Sequence, residues 1–149
     1  MIEKLSQEET KKLLSEQFIG RLGCVLADGE PYVVPINYLF KNGFIFIHSL
    51  LGLKVEALRA NPKACIQVDD IKSFFEWRSA IAFGEFEEIR DATEREEFRR
   101  GMLDRFQKLT PVETVVKHAE NTIAEMVLFR IRIKRVRGRL RVEILSGNN

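Results

Sequence analysis

The stretch Ile47-His48-Ser49-Leu50-Leu51-Gly52-Leu53-Lys54 joins an apolar run typical of a strand to one typical of a helix. His48 and Ser49 offer side-chain hydrogen-bond donors, and Lys54 carries a compact positive charge. Gly52 lets the backbone approach a ligand closely, and a helix that begins just after it would point its first free N–H groups at the same spot. The stretch therefore predicts a site for a small anion, most naturally a phosphate.

Two turn signals precede this stretch and divide the chain into strands. Asp28-Gly29 and Lys41-Asn42-Gly43 are typical of tight hairpin turns. They connect three strand patterns, over residues 20–27, 31–40 and 44–48. We expect these three strands to form a meander.

The rest of the chain alternates helical and strand patterns. Ser6 and Glu9 form a capping box at the start of a helix over 6–17. The further predicted elements are helices over 53–60 and 93–108, a helical turn from Pro111, and strands over 64–69, 77–89, 126–136 and 140–145. Six or seven antiparallel strands with peripheral helices indicate a mostly β, α+β fold that closes or nearly closes into a barrel.

Bulk composition indicates a soluble globular protein. The chain has 149 residues, which fits one domain spanning 1–149, and 45% of them are hydrophobic. A net charge of +2 is too small to argue for nucleic acid or an anionic membrane. The acidic N-terminus is unlike a signal peptide, and no apolar run approaches the roughly 20 residues that span a bilayer. We expect a cytoplasmic protein in which Cys24 and Cys65 are buried free thiols.

Pro35 lies inside an otherwise regular strand pattern, over residues 32–38. Because proline has no N–H to donate to a neighbouring strand, it fits an edge strand or a place where a ligand lies against the backbone. Both interpretations remain open at this point. Asn37, a polar residue among apolar neighbours, needs hydrogen-bond partners if it is buried.

A basic segment between Arg130 and Arg141 carries seven cations and has two interpretations. It could be a nucleic-acid face on a small barrel. The apolar residues Phe129, Ile131 and Ile133 alternate with the first cations, however, as on a strand with one buried face. Seven acidic residues between positions 85 and 97 supply compensating charge, so the pattern favours cross-strand ion pairs.

Several segments, taken in chain order, resemble the FMN-binding split-barrel superfamily. The resemblance is greatest to the pyridoxamine 5′-phosphate oxidase-related proteins, and within them to the branch that includes nitroimidazole-resistance proteins. The matching segments are Gly20-Arg21-Leu22-Gly23, residues 28–38, Ile47-His48-Ser49, Gly52-Leu53-Lys54, residues 77–84 and residues 129–139. They extend over nearly the whole chain.

This resemblance implies a split β-barrel and a homodimer with two FMN sites in the clefts between subunits. It implies that residues 34–38 run along the edge of the flavin ring and that Lys54 binds the phosphate. It also implies that Arg78 and Ser79 reach the cofactor of the neighbouring subunit. The implied cofactor-binding residues are Val34, Pro35, Ile36, Asn37, Tyr38, Ile47, His48, Ser49, Lys54, Trp77, Arg78 and Ser79.

Two departures from the family pattern limit the implied activity. Trp77 is the only tryptophan, and the tryptophan- and arginine-bearing C-terminal segment of the oxidases proper is not matched, so pyridoxamine phosphate oxidation is not expected. Leu53 precedes Lys54 where the oxidases tend to pair two basic residues. The phosphate clamp would then need an arginine, for which the candidates are Arg21, Arg59 and Arg78.

We therefore predict an FMN-dependent oxidoreductase that acts on a small molecule, with nitroaromatic reduction as one activity suggested by the resemblance. His48 is the candidate catalytic residue, because an imidazole titrates near neutrality and can donate a proton during reduction. The alternative for His48 is a core histidine at the end of a strand. Two histidines and no clustered ligands argue against a dedicated metal site. The alternatives are a non-catalytic flavin, deazaflavin or haem-binding protein and a basic barrel that binds nucleic acid.

Overall fold

A computed structural model describes residues 1–107 and 127–143, and the predicted helical turn from Pro111 lies outside them. In chain order its elements are β1 (Ile2–Lys4), α1 (Gln7–Glu16), β2 (Ile19–Val25), β3 (Pro31–Asn37), β4 (Leu39–Lys41), β5 (Phe44–Ser49), α2 (Leu53–Ala60), β6 (Lys63–Ser73), β7 (Glu76–Glu88), α3 (Ala92–Gln107) and β8 (Val127–Val142). Among the described residues, no helix is both long and apolar enough to span a bilayer.

The strands form one curled antiparallel sheet in the order β3-β2-β6-β7-β8-β5-β4, and β1 pairs with β8. Alternate residues along the strands face the inside of the curl and make the main core, with α1 and α2 packed against it. The deeply buried strand residues of this core include Leu22, Ile45, Ile47, Ile66, Val68, Phe129 and Ile131. The predicted mostly β split barrel with peripheral helices is confirmed, with eight strands in the described residues instead of six or seven.

The predicted three-stranded meander is wrong. The two hairpins β2–β3 and β4–β5 form as expected, but β3 and β5 lie towards opposite ends of the strand order. The predicted strand over 31–40 breaks at Tyr38, whose N–H donates to the Phe18 carbonyl and whose hydroxyl donates to the Leu14 carbonyl. These two hydrogen bonds tie Tyr38 to the end of α1, and the chain leaves one edge of the sheet to continue at the other.

The two strands predicted over 126–136 and 140–145 are one continuous strand, β8. Gly138, which separates the two apolar patterns, pairs with Ala80 of β7. A side chain at Gly138 would collide with Leu5 and Thr10. The glycine therefore allows α1 and the residues just before it to pack against β8. The short strand β1 was not predicted, because its three residues are all exposed and carry no buried–exposed alternation.

Helix α3 covers β5 and β8 and forms a second, smaller core. Phe98 and Met102 are buried there together with Ile89 and Leu128. The helix thereby lies next to the end of β5, where His48 is located.

The basic segment on β8 forms the expected cross-strand ion pairs with β7. Arg130 Nε and Arg132 Nε each lie 2.9 Å from an Oε atom of Glu87, and Lys134 pairs with Glu85. The guanidinium of Arg135 lies 4.3 Å from the centre of the Phe83 ring. Three of the seven cations, Arg130, Arg132 and Lys134, are thus paired with carboxylates of β7.

Both cysteines are free thiols. Cys24 is buried as predicted, whereas Cys65 is half-buried and faces the outside of the sheet, which corrects the prediction for that residue. Burial is the main reason that the pKa of Cys24 is raised, and the neighbouring Cys65 raises it further while Lys54 lowers it. Cys24 is therefore a protonated structural thiol at neutral pH.

Candidate functional site

An open cavity of about 290 Å³ lies where the ends of β3 and β5 meet the start of α2. The sheet curl brings these elements together even though β3 and β5 are not paired strands. The cavity is lined by Pro35, Ile36, Asn37, His48, Ser49, Leu50 and Lys54. Six of these seven are residues that the sequence predicted for the site.

The β3 wall of the cavity is an edge of the sheet. Pro35 pairs with Arg21 of β2, and β3 has no second partner strand among the described residues. The edge-strand interpretation of Pro35 is therefore confirmed. Asn37 is exposed, so its amide needs no buried partner and is available to a ligand. Ile36 is buried and adds an apolar surface to this wall.

The β5 wall presents His48 and Ser49 on opposite faces of the strand. Ile47 points into the main core, so His48 points outward, where its ring meets Phe98 edge-on at 6.3 Å between centroids. Ser49 is 5% exposed, and its hydroxyl donates to the Leu50 carbonyl over 2.8 Å. The Ser49 oxygen keeps its lone pairs, but its proton is engaged within the loop.

The third wall is the N-terminus of α2. The helix begins at Leu53, and the residue before it, Gly52, has extended backbone and provides no side-chain cap. The N–H groups of the first turn therefore point out of the helix without a capping side chain. The half-buried Lys54 adds a full charge to the positive end of the helix dipole. The two features together make an anion cradle, which we define as Gly52, Lys54 and the first turn of α2.

The three arginines suggested as a second phosphate ligand are each paired with a carboxylate. The pairs are Arg21–Asp69 at 3.2 Å, Arg59–Glu88 at 2.6 Å and Arg78–Asp70 at 2.8 Å. The hydrogen bond to Asp70 is the main reason that the pKa of Arg78 is raised, and Glu16 lies 3.5 Å from the same guanidinium nitrogen. Lys54 is thus the one cation that lines the cavity among the described residues.

The remaining predicted site residues lie outside the cavity lining of this single chain. Trp77, Arg78 and Ser79 are on β7, where the Ser79 hydroxyl lies 3.1 Å from Nε2 of Gln67. Ile47 is part of the main core, and the partly buried Val34 packs against it. Tyr38 is 1% exposed, and burial raises the pKa of its phenol.

Leu50 lines the cavity but was not among the predicted site residues. Its position between Ser49 and Gly52 could have predicted this, because the segment that lines a cavity contributes apolar as well as polar side chains to the lining. Sequence reasoning favoured the polar residues of that segment and passed over an apolar one.

The cavity combines an exposed sheet edge, a cluster of hydrogen-bonding side chains and an anion cradle. These are the features that a phosphate-bearing ligand bound against a strand edge would require. Residues 6–140 match the family model described as pyridoxamine 5′-phosphate oxidase, and the chain belongs to that family.

Two solved structures and one curated relative are similar to this chain. A FAD-binding protein from Mesorhizobium loti is 32% identical, with a TM-score of 0.78 and coverage of 94% of this chain and 98% of that one. A protein from Bacteroides thetaiotaomicron, assigned by name to 5-nitroimidazole antibiotic resistance, is 18% identical, with a TM-score of 0.74 and coverage of 97% of this chain and 93% of that one. This similarity shows the fold alone. An uncharacterized protein of Rhizobium meliloti is 31% identical over 85 residues, which are 57% of this chain and 56% of that protein.

Proposed function

We propose that this protein is a flavin-dependent oxidoreductase that binds the FMN group in the cavity between β3, β5 and α2. The observation that carries the proposal is the lining of that one cavity: an exposed strand edge with Asn37 on one side, His48 opposite, and the anion cradle at the end. A flavin ring needs hydrogen bonds along its edge, and its phosphate needs a positive group. Both requirements are met by residues that the curl of the sheet brings together.

The residues divide by the part of the cofactor that each would hold. The edge backbone of β3 and the Asn37 amide would hydrogen-bond the ring, and Ile36 would pack against it. Lys54 and the first turn of α2 would bind the phosphate. Ser49 would accept a hydrogen bond, since its proton is engaged with Leu50.

The FMN group is either the free cofactor, as the resemblance implies, or one half of a dinucleotide. The similar protein from Mesorhizobium loti is described as FAD-binding, and FAD contains the FMN group. That description supports a flavin in the proposed cavity. FMN is the smallest cofactor that would satisfy both the ring and the phosphate contacts.

We also propose a homodimer in which the second subunit completes the site. A cavity of about 290 Å³ in one chain lies just below the roughly 300–1,000 Å³ typical of pockets that enclose a ligand. Val33, on the open edge next to the cavity, is 67% exposed. Trp77, Arg78 and Ser79 of the partner are the residues that the family resemblance would bring to this opening. Light scattering after size-exclusion chromatography tests the dimer directly.

A bound flavin would supply electron transfer to a small-molecule substrate, and the chain would orient that substrate and control proton delivery. His48 is the proposed proton donor, because it lines the cavity and packs against Phe98, which restrains its ring. Nitroaromatic compounds are the substrate class that we propose, in line with the nitroimidazole-resistance branch. The free thiols fit a reducing compartment, and we propose the cytoplasm as the site of action.

Absorption spectra and a reoxidation experiment test this function. Purified protein titrated with FMN should show a saturable change in the flavin bands, whereas a Soret band would indicate haem. The flavin-loaded protein is then reduced anaerobically with dithionite and mixed with a 5-nitroimidazole. Reoxidation faster than for free reduced FMN, and slowed in a His48→Gln variant with unchanged FMN affinity, supports the proposal. If the protein-bound flavin is reoxidised no faster than free reduced FMN, the protein binds flavin but does not catalyse nitroimidazole reduction.

A further inference from the structure

A second cavity, of about 230 Å³, lies between α3 and the hairpin of β4 and β5. Its lining includes three phenylalanine rings, Phe44 and Phe46 from β5 and Phe98 from α3. The centre of the Phe46 ring lies 6.0 Å from that of Phe44 and 5.9 Å from that of Phe98. We call this space the aromatic cavity. Among the described residues, it shares no lining residue with the cavity of the proposed flavin site.

The aromatic cavity forms where α3 crosses the outer face of β5. Phe44, Phe46 and His48 are alternate, half-buried residues of that strand, so their side chains share this face. Gly101 lets α3 approach β4 closely, since a methyl group there would lie only 2.9 Å from Cδ2 of Leu39. The helix thus covers the aromatic side chains of β5 and leaves a small space beside them.

The charged side chains of the lining favour a cationic ligand. They are the acids Glu94 and Glu97 and the bases Lys41 and Arg130. Nε of Arg130 lies 2.9 Å from a carboxylate oxygen of Glu87, which does not line the cavity, so the charge of Arg130 is already compensated. The two acids of the lining then outnumber the one remaining base, Lys41. Among residues 1–107 and 127–143, no cation pairs with the exposed Glu97.

Aromatic rings also favour a cation, because the face of a ring attracts positive charge. The guanidinium carbon of Arg130 lies 4.6 Å from the centre of the Phe44 ring, so a planar cation already packs against one ring of this wall. The volume of about 230 Å³ is below the roughly 300–1,000 Å³ typical of pockets for drug-sized ligands. The space therefore suits one aromatic ring with a short, positively charged substituent.

We propose that the aromatic cavity binds a small molecule that consists of one aromatic ring and a protonated amine. The ring would pack against Phe46 and Phe98, and the amine would lie at the carboxylate of Glu97. Phe98 also meets the His48 ring edge-on at 6.3 Å between centroids, so a ligand against Phe98 would change the surroundings of His48. This site needs no flavin and is independent of the proposed function.

The experiment is a titration of the flavin-free protein with 2-phenylethylammonium, followed by the NMR signals of the imidazole protons. The chain has two histidines, so a His118→Gln variant assigns the signal of His48. We expect a saturable shift of that signal. Phenylacetate, which replaces the cation by an anion on a similar ring, should bind more weakly than 2-phenylethylammonium.

The variant Glu97→Gln tests the charge. It should weaken binding of 2-phenylethylammonium about two- to fivefold, the effect of losing a solvent-exposed ion pair. Glu8→Gln is the matched control and should leave the affinity unchanged, because Glu8 is an exposed carboxylate on α1 that does not line the cavity. Phe46→Leu, which keeps an apolar residue but removes a ring, should also weaken binding.

Four results would overturn the proposal. They are the absence of a saturable shift of the His48 signal, equal affinity for phenylacetate, equal losses in Glu97→Gln and Glu8→Gln, and unchanged affinity in Glu97→Gln. The last result, with a shift still present, would place the probe in the flavin cavity beside His48 itself. None of these results bears on flavin binding, which is measured separately.

Discussion

Replacing Lys54 with Met should weaken FMN binding far more than riboflavin binding. The variant keeps most of the apolar stem of the side chain and removes only the charge, so the fold of α2 should be unchanged. Riboflavin has the same ring and ribityl chain as FMN but no phosphate. The difference between the two ligands therefore isolates the contact between Lys54 and the phosphate in the anion cradle.

The expected size of the effect follows from the place of Lys54 in the structure. A hydrogen bond to a charged group contributes about 1.5–3 kcal/mol. Lys54 is half-buried and lines a cavity that is open to solvent, so salt and water screen it. We expect the lower half of that range, about 1.5–2 kcal/mol, which is roughly a 10- to 30-fold rise in Kd for FMN. The first turn of α2 would retain part of the phosphate affinity.

The assay is quenching of flavin fluorescence at 25 °C and at two salt concentrations. Lys41→Met is the matched control, because Lys41 is exposed on β4 and does not line this cavity. The Lys54→Met variant should lose most of the salt dependence of FMN binding. Equal losses for FMN and riboflavin, or no loss for either, would show that Lys54 does not contact the phosphate, and the anion cradle would then be wrong.

Three further predictions concern stability, measured by urea unfolding. Tyr38→Phe should cost about 1–3 kcal/mol, because it leaves the buried Leu14 carbonyl without its hydrogen bond, and should leave flavin affinity unchanged. Glu88→Gln should destabilise at neutral pH, since the hydrogen bond from Arg59 is the main reason that the pKa of Glu88 is lowered. Because the folded pKa lies below the unfolded value of about 4.3, the ion pair contributes its full stability above the unfolded value. That stability is lost as the pH falls through the folded pKa, so the gap to the wild type should close in acid. Gly84→Ala should cost about 1–3 kcal/mol, because the new methyl group would collide with the β8 backbone at a bulge.

Each of these three has an outcome that would contradict it. Tyr32→Phe controls for the loss of a phenol on a half-exposed residue, and an equal loss there would remove the special role of Tyr38. A Glu88→Gln gap that stays constant from pH 7 to about pH 3 would contradict the ion-pair account. Gly52→Ala should be nearly neutral, because a methyl group there meets only the Leu50 carbonyl at 4.0 Å. A comparable loss at both glycines would refute the collision.

Local signals in the sequence predicted local structure well. The capping box at Ser6 and Glu9 forms with hydrogen bonds of 3.0 and 3.1 Å. Asn42 and Gly43 both have positive φ, as the turn between β4 and β5 requires. Each of these features depends on residues within a few positions of one another, so the sequence alone contains the relevant interactions.

Strand order was not predictable by the same reasoning. The break at Tyr38 depends on hydrogen bonds to the carbonyls of Leu14 and Phe18, at the end of α1. The pattern of residues within the strand does not indicate these partners. The glycine at position 138, which led to the prediction of two strands, is likewise explained by residues near the N-terminus that pack across it. Both errors came from interpreting a pattern that a distant part of the chain overrides.

The site was predicted to the extent that it lies on one continuous stretch of sequence. His48, Ser49 and Lys54 come from that stretch, and the β3 residues meet them because the sheet curls. The contribution of β7 residues depends on a second chain and stays a prediction. Leu50 was not predicted, because polar residues indicate chemistry and apolar ones do not.

The longest strand has a consequence for how this protein is made. β8 binds β7 along one side and β5 and β1 along the other, yet it follows all three of them in the sequence. During synthesis, β5 and β7 therefore leave the ribosome with open edges that only a later segment can cover. Such edges recruit other strands, so the nascent chain should depend on chaperones until β8 emerges. Assembly of the barrel is in this sense a late event, and its speed is set by the distance in sequence between β5 and its final partner.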